Sequence, residues 1–319
     1  MDPGGGVMHA QRGVALVVVL VIVAVATVLA SDRLVRQQHL IGAAQLQRFT
    51  DQAYFHALAA EEWARVLLEA DFDPGNRVDS LDEAWALELP PMAVEGGLLS
   101  ARLSDLQGRL NLNNLVVGGR PGPRHSAPLR RLFAAQGVGD GVLEALGDWM
   151  DPDREPNGFL GAEDDYYSRQ RPAYLPPNRP LADPSELRQV RGVTDADYRA
   201  LRDTVTALPG VTPVNVNTAS QPILEAIGFS ADQAVRIIEA RATQPFQSVQ
   251  AVWTRLNLPA ADVDSAGLTV SSQYFLLDVA VAVGDVVYRQ AAVLHRDAGG
   301  TCRVYRRARL PQDIPTFGD

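Results

Sequence analysis

Gly13-Val-Ala-Leu-Val-Val-Val-Leu-Val-Ile-Val-Ala-Val-Ala-Thr-Val-Leu-Ala30 is the stretch from which the rest of the chain is read. No charged residue falls between Arg12 and Asp32. At a helical rise of about 1.5 Å per residue, a run of roughly 17 apolar residues is just long enough to cross a bilayer core. Three uses are open to it. A cleaved secretory signal would offer Val28-Leu29-Ala30 as its small-residue site, but its n-region holds only Arg12 and its apolar run is long. A plain signal anchor would keep Arg12 on the cytoplasmic side. In the third use Gly13 itself is the processing point and the apolar helix is kept.

The chain continues from this run without a break. Between Asp32 and Glu69 there is no Pro and the only Gly is Gly42. Leu34, Leu40, Ile41, Ala44, Phe49, Ala53, Phe55, Leu58, Ala59, Trp63, Val66 and Leu67 recur at spacings of three and four, which predicts an amphipathic helix. Turn chemistry in Asp71-Phe-Asp-Pro-Gly-Asn76 ends it.

A basic residue, then Gly, then an uninterrupted apolar helix resembles the class III signal of type IV pilins and type II secretion pseudopilins. The resemblance implies a cut between Gly13 and Val14 by a prepilin peptidase, with methylation of the new N-terminus. It also implies a stem retained first as an anchor and later as filament core. Most such proteins carry Glu at the fifth mature position; here that position is Val18. The members lacking it are the K-type minor pseudopilins. A buried carboxylate in an apolar filament is tolerable only when paired, so Val18 fits a subunit with none above it, at the filament tip.

The composition narrows the alternatives. The chain has 319 residues, enough for two or three modest domains, and a formal charge of −9. All 29 basic residues are Arg. An acidic chain is a poor partner for phosphate backbones and a better one for divalent cations. The only cysteine, Cys302, has no intramolecular partner, so it leaves the redox compartment open.

Ser80 to Leu89 predicts a short helix, with Ser80 as N-cap and Glu83 three residues on. Leu98 to Leu115 alternates on both sides of Gln107-Gly108, which predicts a β-hairpin. Its phrase Asp105-Leu-Gln-Gly-Arg-Leu-Asn-Leu-Asn-Asn-Leu115 closely resembles a block of the K-type pseudopilins. Leu129 to Gln136 and Gly141 to Met150 predict two helices. At Asp183-Pro184 another helix starts, with Leu187 and Val190 inward.

Between these helices lies Asp148-Trp-Met-Asp-Pro-Asp-Arg-Glu-Pro-Asn-Gly-Phe-Leu-Gly-Ala-Glu-Asp-Asp-Tyr-Tyr167. Asp148, Asp151, Asp153, Glu155, Glu163, Asp164 and Asp165 crowd a stretch that Pro152, Pro156, Gly158 and Gly161 keep irregular. Calcium takes about six to eight oxygens from a loop that can wrap it. The EF-hand spacing is absent. The seven carboxylates and Gly158 are therefore candidate calcium-site residues, and the family resemblance implies calcium in this region. Two readings compete. Arg169, Arg171 and Arg179 would offset the charge in a solvated loop. Paired carboxylates could serve a glycosidase, with Trp149, Tyr166 and Tyr167 as its sugar platform.

Val214 to Trp253 looks like a helix–hairpin–helix, or SAM-like, unit. That fold can bind DNA, and a DNA-uptake receptor carries a similar Asn-x-Asn-Thr-Ala phrase. A membrane-anchored DNA receptor is therefore the alternative function. Against it, the hairpin is Gly228-Phe229-Ser230 rather than Gly-x-Gly. Arg236, Arg241 and Arg255 are outnumbered by Glu225, Asp232, Glu239, Asp262 and Asp264. Gln273 to Val283 and Val286 to Leu294 predict a hairpin around Gly284-Asp285. Cys302 to Leu310 adds a third strand with Val304 inward.

The expected fold class is α+β. A pilin-like transmembrane and stem helix packs on an antiparallel sheet, and a large α-helical insertion carries SAM-like units. The expected division is 1–13 leader, 14–70 stem, 71–118 with 268–312 the pilin-like domain, 119–213 a first helical unit with the acidic loop, and 214–267 a second. The resemblance implies a non-enzymatic minor pseudopilin that initiates or caps the pseudopilus exporting folded proteins. Implied partners are the I-, J- and H-type minor pseudopilins, the major pseudopilin, the prepilin peptidase and the inner-membrane assembly platform. The chain would be single-pass in a Gram-negative inner membrane, with its C-terminal domain in the periplasm and no bound nucleic acid.

Overall fold

The computed structural model describes residues 10–88, 90–258 and 263–311, so most of the expected leader and Asp262 lie outside the described residues. Helix α1 runs unbroken for 62 residues, Ala10–Asp71, as the lack of Pro requires. Its N-terminal half is exposed from Leu16 onward, and among the described residues this is the one helix long and apolar enough to cross a membrane. Its C-terminal half lies on a five-stranded sheet. The strands are β1 (Met92–Val94), β2 (Gly97–Asp105), β3 (Tyr274–Val283), β4 (Val286–Arg296) and β5 (Cys302–Arg309), in that spatial order and all antiparallel.

The register places Leu99, Val281 and Tyr288 in one row across the inner face, and Leu103, Leu277 and Ala292 in the next. Against these rows α1 sets Ala53, Ala57, Ala60, Ala64 and Leu68, all buried. Small side chains at spacings of three and four let the helix axis come close while the sheet supplies the bulk. Glu61 fixes the pairing. It accepts from Arg307 Nε at 2.7 Å and from Gln290 Nε2 at 3.1 Å. Three large apolar residues of α1 lie on the other side: Phe55, Trp63 and Val66 are 66%, 43% and 54% exposed.

The hairpin expected over Leu98–Leu115 does not form. β2 stops at Asp105, whose carboxylate accepts from the Gln107 amide at 2.7 Å and starts a 3-10 turn, Leu106–Gly108. The partners of β2 are β1 on one side and β3 on the other, leaving no edge for a return strand. Leu110–Asn111 pairs instead with Val205–Thr206, and Leu112 and Leu115 enter a second core. The expected helix over Ser80–Leu89 shrinks to one 3-10 turn, Ala84–Ala86. Only half of its capping box is present, Ser80 N donating to Glu83 at 3.1 Å. That turn seats Trp85 edge-on against Phe275, with centroids 5.1 Å apart.

The second core belongs to the helical insertion: α2 (Pro123–Ala135), α3 (Gly141–Met150), α4 (Asp164–Tyr167), α5 (Asp195–Leu201), α6 (Gln221–Ile227), α7 (Ala231–Thr243) and α8 (Val249–Leu256). Phe133, Leu146, Tyr167 and Leu187 from its first half and Ile223, Ile237, Phe246 and Trp253 from its second share one hydrophobic cluster. Asp183 caps a 3-10 helix, Pro184–Gln189, through a full capping box with Glu186, and Leu187 and Val190 are buried as expected. The insertion leaves at the end of β2 and returns at the start of β3. Asp105 closes that junction, accepting from Ser272 Oγ at 2.6 Å, Thr218 Oγ1 at 2.5 Å and Asn215 Nδ2 at 3.1 Å.

Candidate metal centre

The acidic loop is folded back onto the end of α3 by two carboxylates. Asp148 is fully buried; its Oδ1 accepts from the Asn157 amide at 2.8 Å and its Oδ2 from the Ala162 amide at 2.5 Å. Glu144 accepts from the Leu160 amide at 2.9 Å. The fit leaves no room at Gly161, where an added Cβ would lie 2.4 Å from Asp148 Oδ2. Gly158 sits at φ +75°, the left-handed region that glycine enters freely, so its part is conformational.

This folding gathers three of the expected ligands. Asp151, Asp153 and Glu163 each place one oxygen within 4.8 Å of the others. Asp151 and Glu163 are 1% and 4% exposed. Asp151 Oδ2 accepts from Asn157 Nδ2 at 2.7 Å, but its Oδ1 and both oxygens of Glu163 are buried without a hydrogen-bond partner. Burial, reinforced by the neighbouring acids, pushes Glu163 up to about 7 and raises Asp151 as well. Buried polar atoms are almost always paired, and an unpaired buried charge is costly. A divalent cation held by these oxygens would satisfy them.

The arginines do not perform that task. Arg169 reaches the exposed Asp165 at 3.9 Å, Arg179 reaches Glu186 at 3.7 Å and Arg154 reaches Asp164 at 3.5 Å. Among the described ion pairs none involves Asp151, Asp153 or Glu163. Of the other candidates, Asp148 is committed to backbone amides, while Glu155, Asp164 and Asp165 stand outside the cluster. Trp149 and Tyr167 form no sugar platform. Both are buried, edge to face at 5.2 Å, in the insertion core.

Asn178 sits beside this cluster and has no counterpart in the expected list. Its Nδ2 donates to the Asp153 carbonyl at 3.1 Å, and its Oδ1 is buried without a partner. Its φ of 47° lies in the left-handed region, which Asn tolerates.

The second helical unit keeps its arginines for itself. Arg236 donates to the Leu256 carbonyl, Arg241 to that of Val216 and Arg255 to that of Gln244, each at 2.6 Å. Burial lowers Arg241 to about 10. These guanidiniums satisfy carbonyls within the insertion, which leaves little basic surface for a phosphate backbone.

Family models described as Type II secretion system (T2SS), protein K match residues 108–210 and 214–271. The chain is 38% identical to the type II secretion system protein K of Pseudomonas aeruginosa, covering 93% of this chain and 92% of that protein. It is 34% identical to the protein K of Klebsiella pneumoniae, covering 94% and 96%. Among solved structures it resembles a chain of the GspK-GspI-GspJ complex from the type 2 secretion system of enterotoxigenic Escherichia coli. The TM-score is 0.73 at 25% identity, covering 84% of this chain and 99% of that one. A membrane-length helix laid on an antiparallel sheet, with a helical insertion spliced between two strands, thus defines a minor pseudopilin. The chain belongs to the type II secretion system protein K family. Its apolar N-terminal helix fits a single-pass membrane anchor. The relatives give the DNA-receptor alternative no support.

Proposed function

We propose that this chain is a non-enzymatic assembly subunit at the tip of the pseudopilus, initiating or capping the filament that exports folded proteins. The observation that carries this reading is the outward stripe of α1. Phe55, Trp63 and Val66 lie on the side away from the sheet, in line with an apolar segment that is exposed from Leu16 to Ala30. A single-chain domain gains nothing by exposing Trp and Phe at helical spacing; a bundle of stems does. The stripe would take the stems of the I- and J-type minor pseudopilins, in keeping with the solved complex of relatives, and of the H-type and major pseudopilins. The SAM-like insertion, too bulky to stack beneath another subunit, would sit on top.

In this reading the prepilin peptidase cuts between Gly13 and Val14, and the new N-terminus is methylated. The anchor then lies in the inner membrane beside the assembly platform, with the folded domain in the periplasm. Calcium is the cation of the acidic loop, because the oxygens at Asp151, Asp153 and Glu163 are hard, anionic and carried by an irregular loop. N-terminal sequencing of membrane-derived protein gives Val14; Ser31 would identify an ordinary signal peptide. Co-purification with the other minor pseudopilins tests the assembly role, and Trp63→Ser with Phe55→Ser abolishes it.

A further inference from the structure

We infer that Asn178 supplies a neutral oxygen to the calcium centre, and that through it the ion holds the 178–183 strap in place against strand β5. This deepens the calcium reading above and rests on it.

The orientation of the amide follows from its neighbours. A side-chain amide has one donor end and one acceptor end. The donor end is taken by the Asp153 carbonyl, so the acceptor oxygen is directed elsewhere, and it is buried with nothing to accept from. Asp153 itself is one of the three clustered carboxylates. Four orphaned atoms of this region are oxygens, Asp151 Oδ1, Glu163 Oε1, Glu163 Oε2 and Asn178 Oδ1; the fifth, Trp149 Nε1, is a donor in the insertion core. A mixed set of carboxylate and amide oxygens is what calcium accepts, and water can complete the shell. A purely structural Asn at this position would leave its oxygen paired or wet.

From Asn178 the chain runs directly to the sheet. The Leu181 amide donates to Asn113 Oδ1 at 2.8 Å, and Asn113 Nδ2 returns a bond to the Leu181 carbonyl at 2.9 Å. One residue on, the Ala182 carbonyl accepts from Arg306 of β5, and the same guanidinium meets Asp183 at 2.6 Å. Asp183 then caps the 3-10 helix, Pro184–Gln189. The ion would thus anchor one end of a strap whose other end grips the edge strand. The attitude of the insertion on the sheet becomes calcium-dependent.

The test uses the full chain in detergent, with calcium chloride titrated calorimetrically and amide exchange followed by mass spectrometry. Asn178→Gly removes the oxygen and keeps the left-handed backbone free of strain. Asn178→Asp keeps an oxygen. In chelator Asn178→Gly unfolds near the wild type, since one exposed hydrogen bond is lost, whereas Asn178→Asp unfolds earlier because it adds a carboxylate beside three others. Wild type and Asn178→Asp take up calcium, and calcium slows exchange over both 151–165 and 178–186. Asn178→Gly binds about tenfold or more weakly, and at saturation calcium protects 151–165 but no longer 178–186. Equal affinity and equal protection in Asn178→Gly overturn the inference and leave the calcium centre standing. Failure of the wild type to take up calcium overturns the calcium reading and this inference with it.

Discussion

Single residues in the acidic loop separate into builders and ligands, though the sequence presents them alike. Asp148 is a builder: both its oxygens hold backbone amides. Asp148→Ala should cost about 2–4 kcal/mol in urea unfolding whether or not calcium is present, since two buried amides lose their acceptors. Asp151→Ala with Asp153→Ala should cost little in chelator but should remove the rise in melting temperature that calcium gives the wild type. An acidic cluster offers no sequence signal for this division, because spacing does not say which carboxylate faces an amide and which faces another carboxylate. Elsewhere, burial pushes Glu83 up to about 7 and Asp278 up to about 6. The unfolded chain releases such protons near pH 4, while the folded chain holds them longer. The contribution of these two groups to stability is therefore fully present below about pH 4 and is lost as pH rises through about 4 to 7. The urea midpoint in chelator should drop over that window, and Glu83→Gln should flatten part of the drop.

Among the elements, α1 was the most legible and still held a surprise. Its length follows from the missing Pro, and its end from Asp-Pro-Gly. What periodicity could not tell was which of two stripes faces the sheet. The larger side chains are the obvious choice by hydrophobicity, yet Ala53, Ala57, Ala60 and Ala64 are the ones buried. Close approach to a bulky sheet selects small residues there, and Phe55, Trp63 and Val66 are left facing outward. Ala57→Leu should therefore destabilise the folded domain by about 1–3 kcal/mol through overpacking, read by chemical denaturation. Phe55→Ser with Trp63→Ser should leave stability within about 0.5 kcal/mol while losing co-purification with the other minor pseudopilins. The leucines of 110–115 failed in the opposite direction. Their alternation is genuine, but it serves the second core, because both edges of β2 are already taken.

At the scale of the whole molecule, two cores meet at one polar junction. Asp105 at the end of β2 and Ser272 just before β3 are tied to Asn215 and Thr218 of the insertion. Burial raises Asp105, and its four donors hold it in place. Arg296 adds a second tie, bonded to Asp79 and to the Leu68 carbonyl at the end of the stem. Asp105→Ala should cost about 3–5 kcal/mol, because it strands several buried donors at once. Amide exchange should then rise first at 213–218 and 270–273, before the sheet core opens.

The sequence by itself determined the long stem, the strands β3 to β5, the bounds of α3, the start of the 184–189 turn, the acidic loop and the family. All of these are written in short-range pattern: apolar runs, alternation, caps and phrases of a few residues. Tertiary structure alone decided where the 110–115 leucines pack, which stripe of α1 is buried, and that the two helical units share one core. It also reduced seven crowded carboxylates to a cluster of three, two of them with unpaired buried oxygens, and set Asn178 beside them. Those outcomes depend on which partners arrive from elsewhere in the chain, and no local pattern encodes that. The apolar stretch at Gly13–Ala30 announced an anchor; the three-dimensional packing showed how the helix it begins can hold a sheet on one side and leave the other for its neighbours.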